Sequence, residues 1–295
     1  SNTFLNCTKK NRCKGDQMKH KIEYYLIKGI RGLLIFLPLK VRYAIFEQVG
    51  LLAYYVIKKR REVTISNIKG AFPEKTEKEI IDIAKKSYKN MAKMMVVTAY
   101  LKEVTDRDDT VIENEDIVDN EFAKGKGIII ASLHLGAFEA GCKMSKTKKV
   151  YAIFRSQKNK KLNELMAKYR IQAGMNTVMK GDTENLNKAL REKPLLALVT
   201  DHYTNDIEIS FFGRKTMAAS GAILLSLKYK IPIVYTYAIF DKEGIKIVNQ
   251  EVINIEKKEN LKETVAYNTQ KLFYLFEETI RKYPEQYMWQ HKRWR

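Results

Sequence analysis

The spacing of hydrophobic and polar residues changes along the chain. From Glu62 to Lys102 the pattern is helical, with a break at Phe72-Pro73 and a second helix opened by a Thr76–Glu79 capping box. After an acidic segment at Asp106–Asp119, which we predict to be a linker, short apolar runs alternate with helical ones. This alternation predicts an α/β fold with a mostly parallel central sheet flanked by helices.

The apolar runs predict five strands, and the segments between and after them predict helices. The predicted strands are Ile128–Ala131, Val150–Phe154, Leu195–Thr200, Ile231–Phe240 and Ile245–Ile253. The predicted helices are 136–146, 159–173, 183–192, 218–229 and 261–282. In sheets of this kind, sites form where strands end and helices begin, so the residues at the strand ends are the candidates for chemistry.

The N-terminal part has a different character. Residues 1–17 are polar and patternless, and we expect a flexible leader there. Residues 18–61 are rich in Leu, Ile, Tyr and Phe, but charges interrupt every window of the roughly 18–20 residues that a spanning helix needs. The pattern fits helices lying in the interface of an anionic bilayer, and equally a helical hairpin packed on its own core. The basic Lys58–Arg61 favours a membrane-associating helical region at 18–61, followed by the main domain at 62–295.

The positive charge is concentrated in two zones. The 295-residue chain has 54 Lys/Arg and 34 Asp/Glu, a net charge of +20. Residues 1–61 carry 14 basic and three acidic residues, and residues 143–170 carry ten basic residues and one acidic residue. Such zones indicate an acidic partner: nucleic acid, an anionic membrane surface or an acidic protein. The sequence contains no nucleic-acid-binding motif, which argues against the first. Its three cysteines and four histidines give no metal framework.

Three predicted strand ends carry polar side chains that can do chemistry. His134 follows the first strand, Gly136 permits a tight turn, and Glu139 comes in the next helical segment. A carboxylate folded back onto an imidazole fixes its tautomer and raises its basicity, which suits deprotonation of a hydroxyl. Alternatively, His134 is a satisfied polar group at the end of a core strand. Arg155 and Asp201 follow two further strands, which favours a site at one edge of the sheet.

Several segments resemble the lipid A biosynthesis acyltransferases, within the glycerolipid-type acyltransferase superfamily. The resemblance runs from about residue 21 onwards. It rests on KRREVTISNIKGAFPE at 59–74, SLHLGAFEAG at 132–141, FRSQKN at 154–159, TDH at 200–202, FFG at 211–213 and PEQYMWQHKRWR at 284–295. Two departures concern substrate detail: Ala137-Phe138 stands where the family often has Asn-Trp, and the block after Asp201 reads HYTND rather than the more usual second acidic residue and glycine. The aromatic block at 284–295 favours a structural clasp over the core.

The resemblance implies an acyltransferase on the cytoplasmic face of an inner membrane. Its acyl donor would be carried on the phosphopantetheine of acyl carrier protein, its acceptor would be a lipid A precursor, and neither a further cofactor nor a metal is implied. His134 would be the general base and Glu139 would orient it. Arg155, Arg170 and Asp201 would be substrate-binding. Acyl carrier proteins are acidic, which gives the basic zone at 143–170 a partner. A related enzyme with another glycolipid or aminolipid acceptor and, from a different class, a nucleic-acid-binding protein are the alternatives.

Overall fold

The computed structural model describes residues 2–155 and 158–294, with residues 2–16 described by their backbone alone. The α-helices are α1 (Asn2–Leu34), α2 (Leu39–Val56), α3 (Lys58–Ala71), α4 (Glu77–Ala99), α5 (Leu101–Asp106), α6 (Glu115–Ala123), α7 (Lys160–Gln172), α8 (Thr183–Arg191), α9 (Gly221–Tyr229) and α10 (Leu261–Lys282). The strands are β1 (Thr110–Glu113), β2 (Ile128–Ser132), β3 (Val150–Phe154), β4 (Met175–Met179), β5 (Leu195–Val199), β6 (Ile207–Phe211), β7 (Arg214–Ala218), β8 (Ile233–Phe240) and β9 (Ile245–Ile253). Phe138–Lys146 and Pro284–Gln286 form 3₁₀ helices.

The central sheet runs in the order β1-β9-β8-β2-β5-β3-β4. Neighbouring strands are parallel except β8 and β9, which form an antiparallel pair. Strands β6 and β7 form a separate antiparallel hairpin. The structure therefore confirms an α/β fold with a mostly parallel central sheet flanked by helices.

Strand β2 lies in the middle of the sheet and is buried along its whole length. Ile128 and Ile130 belong to the core on one face of the sheet, while Ile129 and Ala131 belong to the core on the other. A strand covered on both faces needs apolar side chains at every position, which explains its continuous apolar run. The end of β2 is thus held rigidly between two parallel neighbours, β5 and β8.

Most predicted elements are confirmed near their predicted ends. Strands β3 and β9 and helix α10 have the predicted bounds, and Thr76 and Glu79 form the expected capping box at the start of α4. The segment predicted as a helix at 136–146 is a 3₁₀ helix that begins at Phe138. The linker predicted at Asp106–Asp119 was wrong, because this stretch holds β1 and the start of α6. Strands β1, β4, β6 and β7 were not predicted.

The N-terminal region is helical. Helix α1 begins at Asn2, within the stretch predicted to be a flexible leader at 1–17, and α2 follows it. The predicted boundary between 18–61 and 62–295 falls inside α3. The division into three parts stays a prediction. Within the described ranges, none of the helices combines the length and the apolarity that crossing a bilayer requires.

The segment 284–294 ties several elements together. The Asn67 amide of α3 donates a hydrogen bond to the Trp289 carbonyl at 2.8 Å, and the Ser87 hydroxyl of α4 donates to the Tyr287 carbonyl at 2.7 Å. The Trp289 side chain is only 1% exposed. This agrees with the clasp that the aromatic block predicts, and it fixes the backbone that passes over the end of β2.

Candidate active site

The parallel pairing of β2 and β5 places His134 beside Asp201. Ser132 lies opposite Val199 in the register of the two strands, and the Thr200 N–H donates a hydrogen bond to the Ser132 carbonyl at 3.0 Å. His134 and Asp201 each follow two residues after these partners, so they leave the sheet at the same edge. This confirms that the ends of these two strands lie together.

The Asp201 carboxylate is fully buried and accepts three hydrogen bonds. Its Oδ1 lies 2.7 Å from His134 Nδ1 and 3.1 Å from the His134 backbone N, while Oδ2 accepts a hydrogen bond from the Tyr287 hydroxyl at 3.0 Å. Burial on its own would raise the pKa of Asp201, but the charge and the hydrogen bonds of His134 outweigh it and hold this pKa below the usual range. An ionised carboxylate only accepts, so in the neutral form of the His134 imidazole the proton is on Nδ1 and Nε2 keeps its lone pair.

The glycine at position 136 is required by the turn that carries His134. Gly136 has φ +52°, and a Cβ atom there would lie 2.5 Å from the Ala238 carbonyl oxygen. Its N–H donates to the Gln286 carbonyl at 2.9 Å, and the N–H of Met288 donates to the His134 carbonyl at 3.0 Å. Segment 284–294 therefore holds the His134 loop from one side while β8 holds it from the other.

Three imidazole rings form a stack beside Asp201. The ring of His202 is 3.7 Å from that of His134 with 8° between their planes, and the ring of His291 is 4.0 Å from that of His202 with 13° between them. Burial lowers the pKa of His202 to about 3, even though Asp201 opposes this shift. His202 is therefore neutral at physiological pH. It offers His134 a flat contact without adding a positive charge.

The structure corrects the partner expected for the imidazole. The carboxylate that contacts His134 is that of Asp201, whereas Glu139 faces Arg170. The Arg170 guanidinium donates to both Glu139 oxygens, at 2.6 Å from Nη2 and 3.3 Å from Nε. The 3₁₀ helix carries Glu139 over the sheet to this arginine, which also stacks on the Phe154 ring at 3.6 Å. Both partners are mostly buried, with 6% and 12% of their side chains exposed, so each neutralises the other's charge where water is scarce.

The five predicted site residues thus form two pairs and one separate arginine. Arg155 follows β3 and is exposed to solvent. It forms no hydrogen bond or ion pair with the other four predicted residues. The sequence predicts Tyr287 only as part of a clasp and gives no role to His202. The sequence signal for His202 is its position directly after Asp201.

An apolar cavity of about 50 Å³ lies between the sheet and the 3₁₀ helix. Its lining includes Phe138, Glu139, Cys142, Met144 and Phe154. The Phe138 ring also meets the His134 ring edge-on at 5.0 Å. The Phe138 ring thus contacts both the cavity and the imidazole.

One group of side chains could bring three metal-binding atoms together. Among the described residues, His134, Asp201 and His202 place such atoms within 4.8 Å of one another. Two of these side chains, His134 and Asp201, are joined by the 2.7 Å contact between Nδ1 and Oδ1. An ion bound at Nδ1 would have to replace the hydrogen bond that fixes the imidazole.

Comparison with known proteins agrees with this geometry. The chain is 22% identical over 279 residues to the lipid A biosynthesis lauroyltransferase of Escherichia coli K12, across 90% of this chain and 89% of that protein. The family model for bacterial lipid A biosynthesis acyltransferases matches residues 13–295. Because that match covers almost the whole chain, the protein belongs to the bacterial lipid A biosynthesis acyltransferase family.

Proposed function

We propose that this acyltransferase moves a fatty acyl chain from acyl carrier protein to a hydroxyl of a lipid A precursor, with His134 as the general base. The 2.7 Å contact between His134 Nδ1 and the ionised Asp201 supports this most directly, because it leaves Nε2 as the proton acceptor. The His134 side chain is 18% exposed, so an incoming hydroxyl has access to it.

The reaction follows from this arrangement. Nε2 of His134 takes the proton of the acceptor hydroxyl as its oxygen attacks the thioester carbonyl carbon. Asp201 stabilises the imidazolium that forms. When the tetrahedral intermediate collapses, the carbon–sulfur bond breaks and the imidazolium returns the proton to the leaving thiolate. The products are an ester and the free phosphopantetheine thiol, and no metal or further cofactor takes part.

The pair of Glu139 and Arg170 has a different role from the one expected from sequence. We assign it to holding the 3₁₀ helix over the apolar cavity, where the first carbons of the acyl chain would enter past Phe138. Arg170 stacked on Phe154 then closes the wall of that cavity. Arg155, which is exposed, remains a candidate for contact with an acidic group of a substrate.

The basic zone at 143–170 divides into neutralised and available lysines. Lys148 and Lys149 are paired with acidic side chains at 2.5 and 2.7 Å. Lys158, Lys160 and Lys161, at the start of α7, are exposed and form no ion pair with a described residue. These three neighbouring lysines offer a docking surface for the acidic acyl carrier protein.

Two apolar stripes support attachment to the inner membrane from its cytoplasmic side. Residues spaced by four, four and three positions are exposed on each of the first two helices, which places them on one face of each helix. They are Ile22, Leu26, Ile30 and Leu33 on α1, and Val41, Ile45, Val49 and Leu52 on α2. With Lys58–Arg61 close by in sequence, such faces suit helices lying in an anionic bilayer interface.

An acyl-transfer assay tests the proposed function. Purified protein is incubated with acyl carrier protein thioesters of different chain lengths and a tetra-acylated lipid A precursor, and the products are identified by mass spectrometry. We expect one added acyl chain, and a loss of rate on the order of 10²–10⁴ in His134→Ala but not in the control His20→Ala. Near-normal turnover in His134→Ala would exclude the mechanism, and product formed only from another acceptor would exclude the substrate.

Two further variants test the partners. Lys158→Glu/Lys161→Glu should raise the KM for acyl carrier protein thioesters but not for acyl-pantetheine, whereas Lys149→Glu should change neither. Ile45→Glu/Val49→Glu should weaken flotation with anionic vesicles, and Leu261→Glu, at an exposed apolar position on α10, should not. If a test variant and its control had the same effect, the corresponding surface would not be the binding surface.

A further inference from the structure

A second, larger cavity lies on the α2 side of the site. It has a volume of about 350 Å³, and it is bounded by the start of α2, by Lys93 of α4, by the residues leading into β1 and by the β8–β9 turn at 240–245. Ligand pockets in proteins usually begin near this volume. We call it the α2 pocket. None of its lining residues belongs to the catalytic cluster described above.

Aromatic rings and buried polar donors form the inner wall of the α2 pocket. The Lys93 ammonium lies 4.1 Å from the centre of the Phe240 ring and 5.6 Å from that of Tyr43. It forms a 3.6 Å ion pair with Glu47, and burial lowers its pKa. The Tyr43 hydroxyl is buried and has no hydrogen-bond partner among the described residues. Buried hydroxyls nearly always have a partner, so the Tyr43 hydroxyl is a donor available to a ligand that reaches this wall.

Charges of both signs line the rim of the α2 pocket. Asp109 is held by a two-pronged pair with Arg107, at 2.7 and 2.5 Å, and Asp241 is held by Lys246 at 2.9 Å. The remaining carboxylate lone pairs can accept hydrogen bonds from hydroxyls. Lys40 and Lys242 also line the pocket and add positive charge. Carboxylates, ammonium groups and aromatic rings in one pocket fit a ligand with several hydroxyls, an apolar ring face and one anionic group.

We propose that the α2 pocket binds the phosphorylated sugar head group of the acceptor. This rests on the proposed function, since the acceptor there is a glycolipid. Lys93 and Lys40 would hold the phosphate, the carboxylates would accept from sugar hydroxyls, and Phe240 would cover the ring. Phosphate bound by two cations gives the head group both affinity and a fixed orientation.

The position of the α2 pocket supports this assignment in two ways. The Gln286 side chain bonds to the backbone N–H and carbonyl of Phe240, at 2.8 and 2.9 Å, and its backbone carbonyl accepts from Gly136 of the His134 loop. The pocket wall is therefore fixed directly to the catalytic loop. On its other side, Val41 and Ile45 of the exposed α2 stripe alternate with pocket residues on the same helical turns, so a lipid embedded in the bilayer can place its sugar in the pocket.

Kinetics with two acceptors tests the proposal. We compare Tyr43→Phe and Lys93→Met with the control Lys86→Met, an exposed lysine on the same helix, using a phosphorylated acceptor and the same acceptor without phosphate. Loss of one hydrogen bond to a charged group corresponds to about tenfold. We expect Lys93→Met to raise the KM for the phosphorylated acceptor about tenfold, to leave the KM for the donor unchanged, and to abolish the preference for phosphate. Tyr43→Phe keeps the aromatic ring and should therefore leave the protein folded. It should also raise the KM for the phosphorylated acceptor.

A binding experiment separates this proposal from the proposed function. The His134→Ala protein, which cannot catalyse transfer, is titrated with N-acetylglucosamine 1-phosphate, with inorganic phosphate and with N-acetylglucosamine, and binding is followed by saturation-transfer NMR. Tighter binding of the sugar phosphate than of either part, weakened by Lys93→Met, supports the proposal even if no acyl transfer is found. The proposal would be overturned if inorganic phosphate bound as tightly as the sugar phosphate, or if none of the three probes bound. It would also be overturned if the enzyme were active and Lys93→Met left its KM for the acceptor unchanged.

Discussion

Replacing Asp201 by Asn tests the central feature of the site. The carboxylate and the carboxamide have nearly the same shape, so the substitution preserves packing while removing the charge. Asp201 Oδ1 is 2.7 Å from His134 Nδ1 and is fully buried. The same oxygen also accepts from the His134 backbone N–H at 3.1 Å, so the amide of the variant keeps its oxygen at this place and turns its NH₂ group towards the Tyr287 hydroxyl. The imidazole then keeps its tautomer but loses the negative charge that stabilises the imidazolium.

The expected loss follows from this loss of charge. The same exchange in a Ser-His-Asp triad lowers kcat about 10⁴-fold where it also changes the imidazole tautomer, and general-base catalysis is worth on the order of 10²–10⁴. We therefore expect Asp201→Asn to lower kcat by about 10²–10³. Tyr287→Phe is the matched control: it removes a hydrogen bond to the other carboxylate oxygen, at 3.0 Å, and leaves the imidazole contact in place. Its loss should stay near tenfold.

The assay measures kcat and kcat/KM for acyl transfer, together with circular dichroism to show that each variant folds. Glu139→Gln is assayed in parallel, because the sequence had assigned the orienting role to that residue. If Asp201→Asn keeps turnover within tenfold of the unchanged protein while Glu139→Gln loses more than 10³-fold, Asp201 does not orient the base. The pairing inferred from sequence would then be the functional one.

Three further predictions concern stability. The pKa of His202 is about 6.5 in the unfolded chain and about 3 in the folded protein. The free energy of unfolding should therefore fall by up to about 1.4 kcal/mol per pH unit as the pH is lowered from about 6.5 to about 3. Urea unfolding of His202→Phe should show a weaker dependence of this free energy on pH. Glu139→Gln and Arg170→Met should each lower the free energy of unfolding by about 3–5 kcal/mol, because each leaves its partner's charge buried and unpaired. The double variant should lose less than the sum of the two single losses, and a loss equal to that sum would contradict the coupling. Gly136→Ala, at φ +52°, should lower the free energy of unfolding by about 1–3 kcal/mol, and an unchanged Tm would show that this loop can shift.

How far the sequence predicts the fold depends on how much each strand is buried. Strands β2, β5 and β8, in the middle of the sheet, are apolar at nearly every position and were found from their composition. Strand β4 lies at the edge, and Asn176 and Thr177 interrupt its short apolar pattern. The hairpin of β6 and β7 lies outside the main sheet. A short strand that is only partly buried has too few apolar residues to be identified from the sequence.

The candidate site was predicted in its parts but not in its pairing. His134 and Asp201 were both expected at one edge of the sheet, and they are there. Their hydrogen bond follows from the strand order, which a single sequence does not reveal. Glu139 is closer to His134 along the chain, and this made it the more obvious partner. The actual partner of Glu139, Arg170, belongs to another helix.

The way segment 284–294 is bound has a consequence for biosynthesis. This segment supplies Tyr287 to Asp201, and its backbone holds the His134 loop through Met288. It follows all the catalytic residues in chain order, so the ribosome makes it after them. A nascent chain in which β2 and β5 have already paired therefore lacks a completed catalytic centre. The contacts that hold the His134 loop and Asp201 are therefore complete only once the chain has been made past residue 288.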